Sequence, residues 1–417
     1  MNAVRGFKDI LPKEAKRWSH VEARAREVFY SFGFDEIRTP VLEKTGVFTR
    51  GIGEHTDIVE KEMYTFPDRN GESLSLRPEA TAGVIRAVIE NKLHASSSLL
   101  KLFTIGPMFR HERPQKGRLR QFHQIDAEII GTSAPLSDAE VILSAWEILS
   151  GLGVVDARLE INSLGCPLCR PVYREKLNAF LHGIQAHLCP DCQRRSAANP
   201  LRVFDCKQDC CKEALRQAPV MKDHLCADCA GHFERVLAYS SAFNMPFTIN
   251  PYLVRGLDYY VRTTFEMVSA RLGAQGTVAA GGRYDGLVTA LGGPDLPGVG
   301  MAVGLERLML LIADKDGGKG NGGLFVAALG EEARKRAVSL LHSLRKTGLA
   351  AQMPYEEGKG LKAQLKEADR QGASFALIVG ENELETKKLI LRNLVSHEQQ
   401  EVALDDNTAV TIRELAS

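Results

Sequence analysis

The alternation of apolar and polar residues predicts a β-hairpin in the first third of the chain. Leu102 to Glu112 and Gln121 to Ile130 carry strand-type residues, and a proline and a glycine interrupt the segment between them. In the second strand the two-residue period places apolar side chains on one face. It places three polar side chains on the other face, Gln124, Asp126 and Glu128.

Segments with apolar residues at helical spacing precede and follow this hairpin in the sequence. Residues 13–32 repeat apolar side chains at helical spacing and end at Gly33, and the strand-like stretch that follows contains Pro40, which suits an edge. A second apolar stripe follows Glu79 and Thr81, which predicts that both residues lie at the start of a helix. Helix capping alone could explain the presence of these two residue types there. The stretch GVGMAVGLERLMLLI predicts a strand that runs directly into a helix.

Residues 314–323, DKDGGKGNGG, have the composition of a flexible linker. Beyond them, strand and helix patterns alternate to the end of the chain. This alternation predicts a separate α/β domain with a mostly parallel sheet.

Composition limits the class of protein. The length of 417 residues predicts two to three domains, and the net charge of +1 means that any nucleic-acid surface must be local. No run of 18 apolar residues and no signal-peptide pattern is present, so we expect a cytoplasmic protein without a membrane span.

All nine cysteines fall between Cys166 and Cys229. Three CxxC pairs, and Cys206 followed by Cys210 and Cys211, could form two four-thiolate zinc sites. The alternative is a helical insertion with reduced cysteines, and the spacing leaves both open. A metal here would be structural.

Two features concern anion binding. The hairpin loop holds Arg113, Lys116, Arg118 and Arg120 without an acidic residue among them, which favours a polyanion partner. No GxxxxGK[ST] motif occurs, so a nucleotide would have to be bound by residues other than a P-loop.

The glycines at 298, 300 and 304 approximate a dinucleotide fingerprint. The three-residue spacing between the last two glycines and the missing βαβ unit make a dehydrogenase a poor match.

Several motifs together resemble those of class II aminoacyl-tRNA synthetases, and most closely the histidyl-tRNA synthetases. Phe109-Arg110-His111-Glu112, the basic loop and the strand ending in Glu128 resemble motif 2. The first helix and strand resemble motif 1, and the strand–helix stretch with Arg307 resembles motif 3. Arg255-Gly256-Leu257-Asp258-Tyr259-Tyr260 and Ala280-Gly281-Gly282-Arg283-Tyr284-Asp285-Gly286 resemble signatures peculiar to the histidine enzymes.

The resemblance implies an α+β fold: a class II synthetase-like antiparallel sheet flanked by helices, with a mainly helical, cysteine-rich insertion and a C-terminal α/β domain. The catalytic domain would comprise residues 1–164 and 251–313, interrupted by the insertion at 165–250. The linker at 314–323 would lead to an anticodon-binding-like domain at 324–417. Motif 1 implies a homodimer.

The resemblance also implies a reaction: ATP-dependent attachment of L-histidine to tRNA(His) through histidyl-adenylate. Arg110 would hold the α-phosphate, Arg118 and Arg307 the distal phosphates, and Arg255 the charge developing at the α-phosphate, so Arg110 and Arg255 are the implied catalytic residues. The implied histidine-binding residues are Glu79, Thr81, Gln124, Glu128, Tyr260 and Tyr284. Mg²⁺ would accompany ATP, and no DNA partner is expected.

The main alternative is a histidine-binding regulatory subunit of ATP phosphoribosyltransferase. Such relatives usually lack the C-terminal domain and depart from the arginine-bearing motifs, whereas this chain has both. Histidine-dependent exchange of pyrophosphate into ATP would separate the two functions.

Overall fold

The structure is a computed structural model that describes residues 1–53, 56–312 and 323–416. The chain divides into two compact units, Met1–Ala313 and Asp314–Ser417. The linker predicted at 314–323 lies outside the described residues, apart from Gly323. Each unit is described below by itself.

The first unit combines helices with two sheets. Its helices are α1 (Pro12–Ser31), α2 (Thr45–Ile52), α3 (Thr81–Glu90), α4 (Leu93–Ser96), α5 (Pro135–Gly151), α6 (Cys169–Gly183), α7 (Pro190–Ala198), α8 (Asp209–Ala214), α9 (Ala227–Ala242), α10 (Leu287–Ala290) and α11 (Leu305–Leu311). Its strands are β1 (Asp35–Glu36), β2 (Leu42–Lys44), β3 (Tyr64–Pro67), β4 (Ser73–Leu76), β5 (Leu100–Phe109), β6 (Gln121–Ile130), β7 (Arg158–Ser163), β8 (Phe247–Ile249), β9 (Val261–Val268), β10 (Thr277–Arg283) and β11 (Gly298–Gly304).

The main sheet has eight strands in the order β1-β5-β6-β11-β10-β9-β7-β8. Neighbours from β5 to β7 pair antiparallel, and the short edge strands β1 and β8 each pair parallel. A smaller antiparallel sheet has the order β2-β4-β3. The α+β class predicted from the sequence is confirmed.

The predicted hairpin is present as β5 and β6, with Leu100 opposite Ile130 and Phe109 opposite Gln121. The first strand ends at Phe109, three residues before the predicted end at Glu112. The reason is that the N–H of His111 donates to the carbonyl of Glu62 at 2.6 Å, which takes the chain away from β6. The loop from Arg110 therefore begins inside the stretch that the sequence assigned to the strand.

Helices cover one face of the main sheet and leave the other to the site. Side chains of α1, α5 and α9, among them Val21, Ile142 and Phe233, pack with Ile125 and Phe265 of the sheet into one apolar core. Burying an apolar side chain of this size contributes about 1.5–3 kcal/mol. Because side chains alternate along a strand, the residues between the packed ones point to the opposite face.

A buried polar network joins three elements of this unit. Arg283, at the end of β10, and Asp138, in α5, are fully buried and form an ion pair. His232 of α9 also approaches Asp138, with its Nε2 3.1 Å from the carboxylate. Burial raises the pKa of Asp138, but its hydrogen bond with His232 and the charge of Arg283 outweigh burial and hold the pKa below the ordinary value.

The segment between β7 and β8 contains α6 to α9 and three short 3₁₀ turns, Gln185–His187, Pro200–Asp205 and Met221–His224. It is mainly helical, as predicted. Its own small core contains Tyr173, Leu177, Leu181, Val203 and several of the cysteines.

The second unit is an α/β domain. Its strands are β12 (Leu324–Ala328), β13 (Ala351–Gln352), β14 (Phe375–Val379), β15 (Lys388–Asn393) and β16 (Gln399–Ala403). Its helices are α12 (Glu331–Lys346), α13 (Leu361–Arg370), α14 (Glu381–Thr386) and α15 (Thr408–Ala416). In the order β13-β12-β14-β15-β16, the first two pairs are parallel and the last two antiparallel. The mostly parallel sheet predicted from the sequence is wrong, because β15 runs antiparallel to β14 and then pairs with β16 as a hairpin.

In the described part of the chain, no helix combines the length and the apolar character needed to cross a membrane.

Candidate active site

A cavity of about 270 Å³ lies over the face of the main sheet that is not covered by α1, α5 and α9. Residues from β6, β9, β10 and β11, from the β5–β6 loop and from the start of α11 line it. All the site residues predicted from the sequence line this cavity except Glu128: Glu79, Thr81, Arg110, Arg118, Gln124, Arg255, Tyr260, Tyr284 and Arg307.

Arg110 follows the last residue of β5 and turns back across the sheet. Its Nε donates to the carbonyl of Pro78 at 2.8 Å, and its guanidinium lies 5.2 Å from the ring centre of Phe122. Burial lowers the pKa of Arg110, and the carboxylates of Glu62 and Glu79 only partly offset this effect. A buried guanidinium under this penalty favours a bound anion.

Arg118 and Arg307 reach the cavity from two distant parts of the chain. Arg118 forms a close ion pair with Glu112, and Arg307 donates to the carbonyls of Gly117 and Thr277, the latter at 2.8 Å. Burial is the main cause that lowers the pKa of Arg307, and the positive charges of Arg118 and Arg110 lower it further. Mutual repulsion between these cations would be relieved by a polyanion such as a triphosphate.

Arg255 enters from the loop before β9. It forms an ion pair with Glu266, and its guanidinium lies 5.5 Å from the ring centre of Tyr260. Its Nε is buried without a hydrogen-bond partner in the described residues. Arg255 therefore lines the cavity and carries one buried N–H that pairs with none of the described residues.

Glu79 has the capping role that the sequence allowed. Its carboxylate accepts hydrogen bonds from the backbone N–H groups of Thr81 and Ala82, at 3.0 and 2.8 Å, at the start of α3. The hydroxyl of Tyr259 lies 3.4 Å from the same carboxylate and donates to it. Glu79 thus lines the cavity while both of its oxygens also serve the fold.

Glu128 is almost fully buried and does not itself line the cavity. Its two oxygens accept hydrogen bonds from the hydroxyls of Thr81 and Tyr284, each at 2.6 Å. Burial raises its pKa to about 8, against the lowering effect of these two donors, and the charge of Glu79 adds to the increase. Gly300 of β11 packs against this carboxylate so closely that a Cβ there would overlap Oε2.

Asp126 is a site residue that the sequence reasoning missed. Asp126 lines the cavity and lies on the same face of β6 as Gln124 and Glu128. It is 3% exposed, and its Oδ2 has no hydrogen-bond partner in the described residues. Burial and the charges of Glu128 and Glu79 raise its pKa well above the ordinary value. The two-residue period of β6 was the signal that could have identified it.

The hairpin loop divides into an exposed and an anchored part. Arg113, Gln115 and Lys116 are exposed. Arg120 instead donates to the carbonyls of Glu112 and Arg5, at 3.2 and 3.5 Å, and its side chain packs against Gly6. Arg120 therefore braces the loop, whereas the other three face outward.

Eight of the nine cysteines form two groups that could each hold a metal ion. The groups are Cys166, Cys169, Cys226 and Cys229, and Cys189, Cys192, Cys206 and Cys211. Within each group all four Sγ atoms lie within 4.8 Å of one another. The spacing in the sequence paired Cys206 with Cys210, whereas the structure brings Cys211 into the group and leaves Cys210 exposed.

Such a sheet, with arginines from a strand–loop–strand hairpin and from a strand–helix junction converging over it, defines a class II aminoacyl-tRNA synthetase. Comparison with known proteins identifies the subgroup. The family model described as histidyl-tRNA synthetase matches residues 6–176 and 182–308, and the anticodon binding domain model matches residues 324–414. The chain belongs to the histidyl-tRNA synthetase family.

Individual relatives agree over nearly the whole length. The histidine–tRNA ligase of Desulfosudis oleivorans is 54% identical over 408 residues, which are 97% of this chain and 96% of that protein. The ligase of Desulfatibacillum aliphaticivorans is 53% identical over 406 residues, 97% of each chain. The crystal structure of apo histidyl-tRNA synthetase from S. aureus has a TM-score of 0.81 and 34% identity, covering 99% of both chains.

Proposed function

We propose that the protein is a histidine–tRNA ligase, which uses ATP to join L-histidine to tRNA(His) through a histidyl-adenylate intermediate. The observation that carries this proposal is the convergence of Arg110, Arg118, Arg255 and Arg307 on one cavity that also contains polar groups suited to an imidazole. The full-length likeness to histidine–tRNA ligases supports the same conclusion.

In the first step, the carboxylate of histidine attacks the α-phosphorus of ATP, which enters as its Mg²⁺ complex. A carboxylate–phosphorus bond forms, the bond from the α-phosphorus to the bridging oxygen breaks, and pyrophosphate leaves. No enzyme nucleophile is needed, so catalysis consists of placing the reactants and stabilising phosphate charge. In the second step, a hydroxyl of the terminal ribose of tRNA attacks the carbonyl carbon of the adenylate, and AMP leaves.

We assign the arginines by their positions in the cavity. Arg110 would hold the α-phosphate, and Arg118 and Arg307, which lie beside each other at the loop and the start of α11, would hold the distal phosphates. Arg255, which lines the same cavity, would stabilise the charge that develops on the α-phosphate.

We assign histidine recognition to the polar wall. Glu79, Thr81 and Gln124 would bind the amino group, and Tyr260 and Tyr284 would contact the imidazole. Glu128 would act by orienting Thr81 and Tyr284, since it accepts a hydrogen bond from the hydroxyl of each. Leaving such buried polar groups unpaired penalises a wrong amino acid strongly, so no editing site is required.

The remaining assignments rest on family membership. We propose that residues 324–414 bind the anticodon, that the helical insertion contacts the tRNA, that two copies associate through the motif 1 region, and that the protein acts in the cytoplasm. β8 pairs with β7 in the main sheet, so we end the insertion before Phe247 instead of at residue 250. The match at 324–414 and the four arginines favour the ligase over the regulatory subunit.

Histidine-dependent exchange of labelled pyrophosphate into ATP tests the proposal directly. Exchange should require histidine, and Arg255→Ala should slow it by about 10²-fold or more, the usual effect of removing a charge-stabilising donor. Arg69→Ala, at an exposed position of the same unit, is the matched control and should leave exchange unchanged. Absence of histidine-dependent exchange in the unmodified protein would refute the ligase function.

A further inference from the structure

The two cysteine groups lie outside the arginine cavity and have no part in the chemistry proposed above. The neighbouring Sγ atoms are 3.6 and 3.9 Å apart in the first group, for Cys166 with Cys169 and with Cys226. Cys189 and Cys206 of the second group are 3.8 Å apart. None of the nine cysteines, all of which are described, forms a disulfide.

These distances suit one tetrahedral ion in each group. Zinc–sulfur bonds of about 2.3 Å at tetrahedral angles place thiolates about 3.8 Å from one another. A disulfide would bring two sulfur atoms to about 2.05 Å. An iron–sulfur cluster would hold its thiolates farther apart than a single ion, because several metal atoms lie between them.

We propose that the two groups are structural zinc sites, each with four cysteine ligands. The first joins Cys166 and Cys169, at the start of the insertion, to Cys226 and Cys229 at the start of α9. The second joins Cys189 and Cys192 to Cys206 and Cys211.

The surroundings of the sulfur atoms are those of thiolate ligands. The backbone N–H of Cys226 donates to Sγ of Cys169 at 3.1 Å, and that of Cys189 donates to Sγ of Cys211 at the same distance. Backbone donors of this kind offset the negative charge that four thiolates leave around a divalent cation. Each group therefore has at least one backbone N–H that donates to a sulfur atom.

The insertion needs such cross-links. Its helices α7 and α8 have only 9 and 6 residues, and its core is built largely around the cysteines themselves. Small units with little apolar core commonly depend on metal ions for their stability. Two zinc ions would hold the short helices of the insertion together.

Near each cysteine group, an arginine donates to the segment before β9 that carries Arg255 and Tyr260. Arg170, next to Cys169, donates to the backbone carbonyl of Tyr260. Arg202, between the two halves of the second group, donates to the backbone carbonyl of Arg255 at 2.8 Å. We infer that Arg170 and Arg202 are positioning residues, through which the zinc sites set the place of Arg255 and Tyr260. This part of the inference rests on the proposed function.

Metal analysis of the full-length protein, purified without chelator, tests the zinc sites. Two zinc ions per chain are expected. The double variant Cys166→Ser/Cys226→Ser should retain one, and Cys210→Ser, at the exposed cysteine outside both groups, should retain two. Protein that contains no zinc, or iron in its place, would overturn the proposal. This readout does not depend on activity, so its failure is distinguishable from failure of the ligase function.

Arg202→Ala tests the positioning role. The variant should keep two zinc ions, while the maximal rate of pyrophosphate exchange falls by about tenfold, because it loses the hydrogen bond to the carbonyl of Arg255 together with the ion pairs of Arg202 to Asp57 and Asp205. The KM for histidine should change less than the rate, and Arg202→Lys should recover part of the rate because a single donor can reach the carbonyl. Normal exchange by Arg202→Ala would exclude the positioning role and leave the zinc sites as purely structural.

Discussion

The raised pKa of Glu128 makes stability depend on pH in a defined direction. Burial in the first unit raises the pKa of this carboxyl to about 8, from an ordinary value of 4.5. The folded chain therefore holds the proton more tightly than the unfolded chain does. The resulting stabilisation is fully present below pH 4.5 and is lost as the pH rises through 8.

The magnitude follows from the interval between the two values. For each pH unit between these two pKa values, the free energy of unfolding falls by about 1.4 kcal/mol. The whole interval therefore corresponds to about 5 kcal/mol. Glu128→Gln removes the charge and keeps the shape. Compared with the unmodified protein, the variant should gain about 3 kcal/mol of relative stability between about pH 6 and pH 9, on top of any constant offset from its altered hydrogen bonds.

Thermal unfolding of the two proteins at several pH values measures this gain. For a unit of this size, about 3 kcal/mol corresponds to a relative increase in Tm of about 5 °C. Glu175→Gln, at an exposed position of α6, is the control, and its Tm difference from the unmodified protein should not vary with pH. A Tm difference for Glu128→Gln that is equally constant from pH 6 to pH 9 would refute the reasoning.

Three further predictions concern other parts of the first unit. Arg283→Met should lower the free energy of unfolding by about 3–5 kcal/mol in chemical denaturation, because it leaves the buried carboxylate of Asp138 without its main partner; a loss below about 1 kcal/mol would contradict this. Gly300→Ala should raise the KM for histidine in pyrophosphate exchange by about tenfold or more, since the methyl group must displace the Glu128 carboxylate; an unchanged KM would count against the role of that carboxylate. Arg113→Glu with Lys116→Glu should weaken aminoacylation of tRNA while sparing pyrophosphate exchange, because both side chains face outward from the loop; equal loss of both activities would be the contrary outcome.

Local periodicity made much of the fold predictable. The helix at Pro12–Ser31, the hairpin and the strand that enters α11 all follow from spacing that a single element imposes on its own residues. The end of β5 was not predictable in this way, because a hydrogen bond from His111 to Glu62, about fifty residues away in sequence, determines it. The antiparallel pairing of β15 with β14 and β16 was also not predictable, because the pattern of residues in a strand does not reveal the direction in which it pairs.

The candidate site was likewise only partly predictable from the sequence. Family motifs identified the arginines, and the structure brings all four to one cavity. The sequence did not reveal which residues of β6 line the cavity: Asp126 does, whereas Glu128, two residues later, does not and instead accepts a hydrogen bond from Tyr284. The choice of Cys211 over Cys210 likewise depends on the turn of α8, which spacing alone could not resolve.

The close packing of Gly300 against Glu128 limits how the enzyme could be redesigned for unnatural amino acids. At Gly300 the strand has no side chain that could be shortened, and the Glu128 carboxylate already fills the space beside it, so extra room for a larger substrate cannot come from this position of β11. Extra room would have to come from the walls, by shortening Tyr260 or Tyr284. Either change would also remove a hydroxyl group, so a roomier pocket in this scaffold would at the same time be less polar.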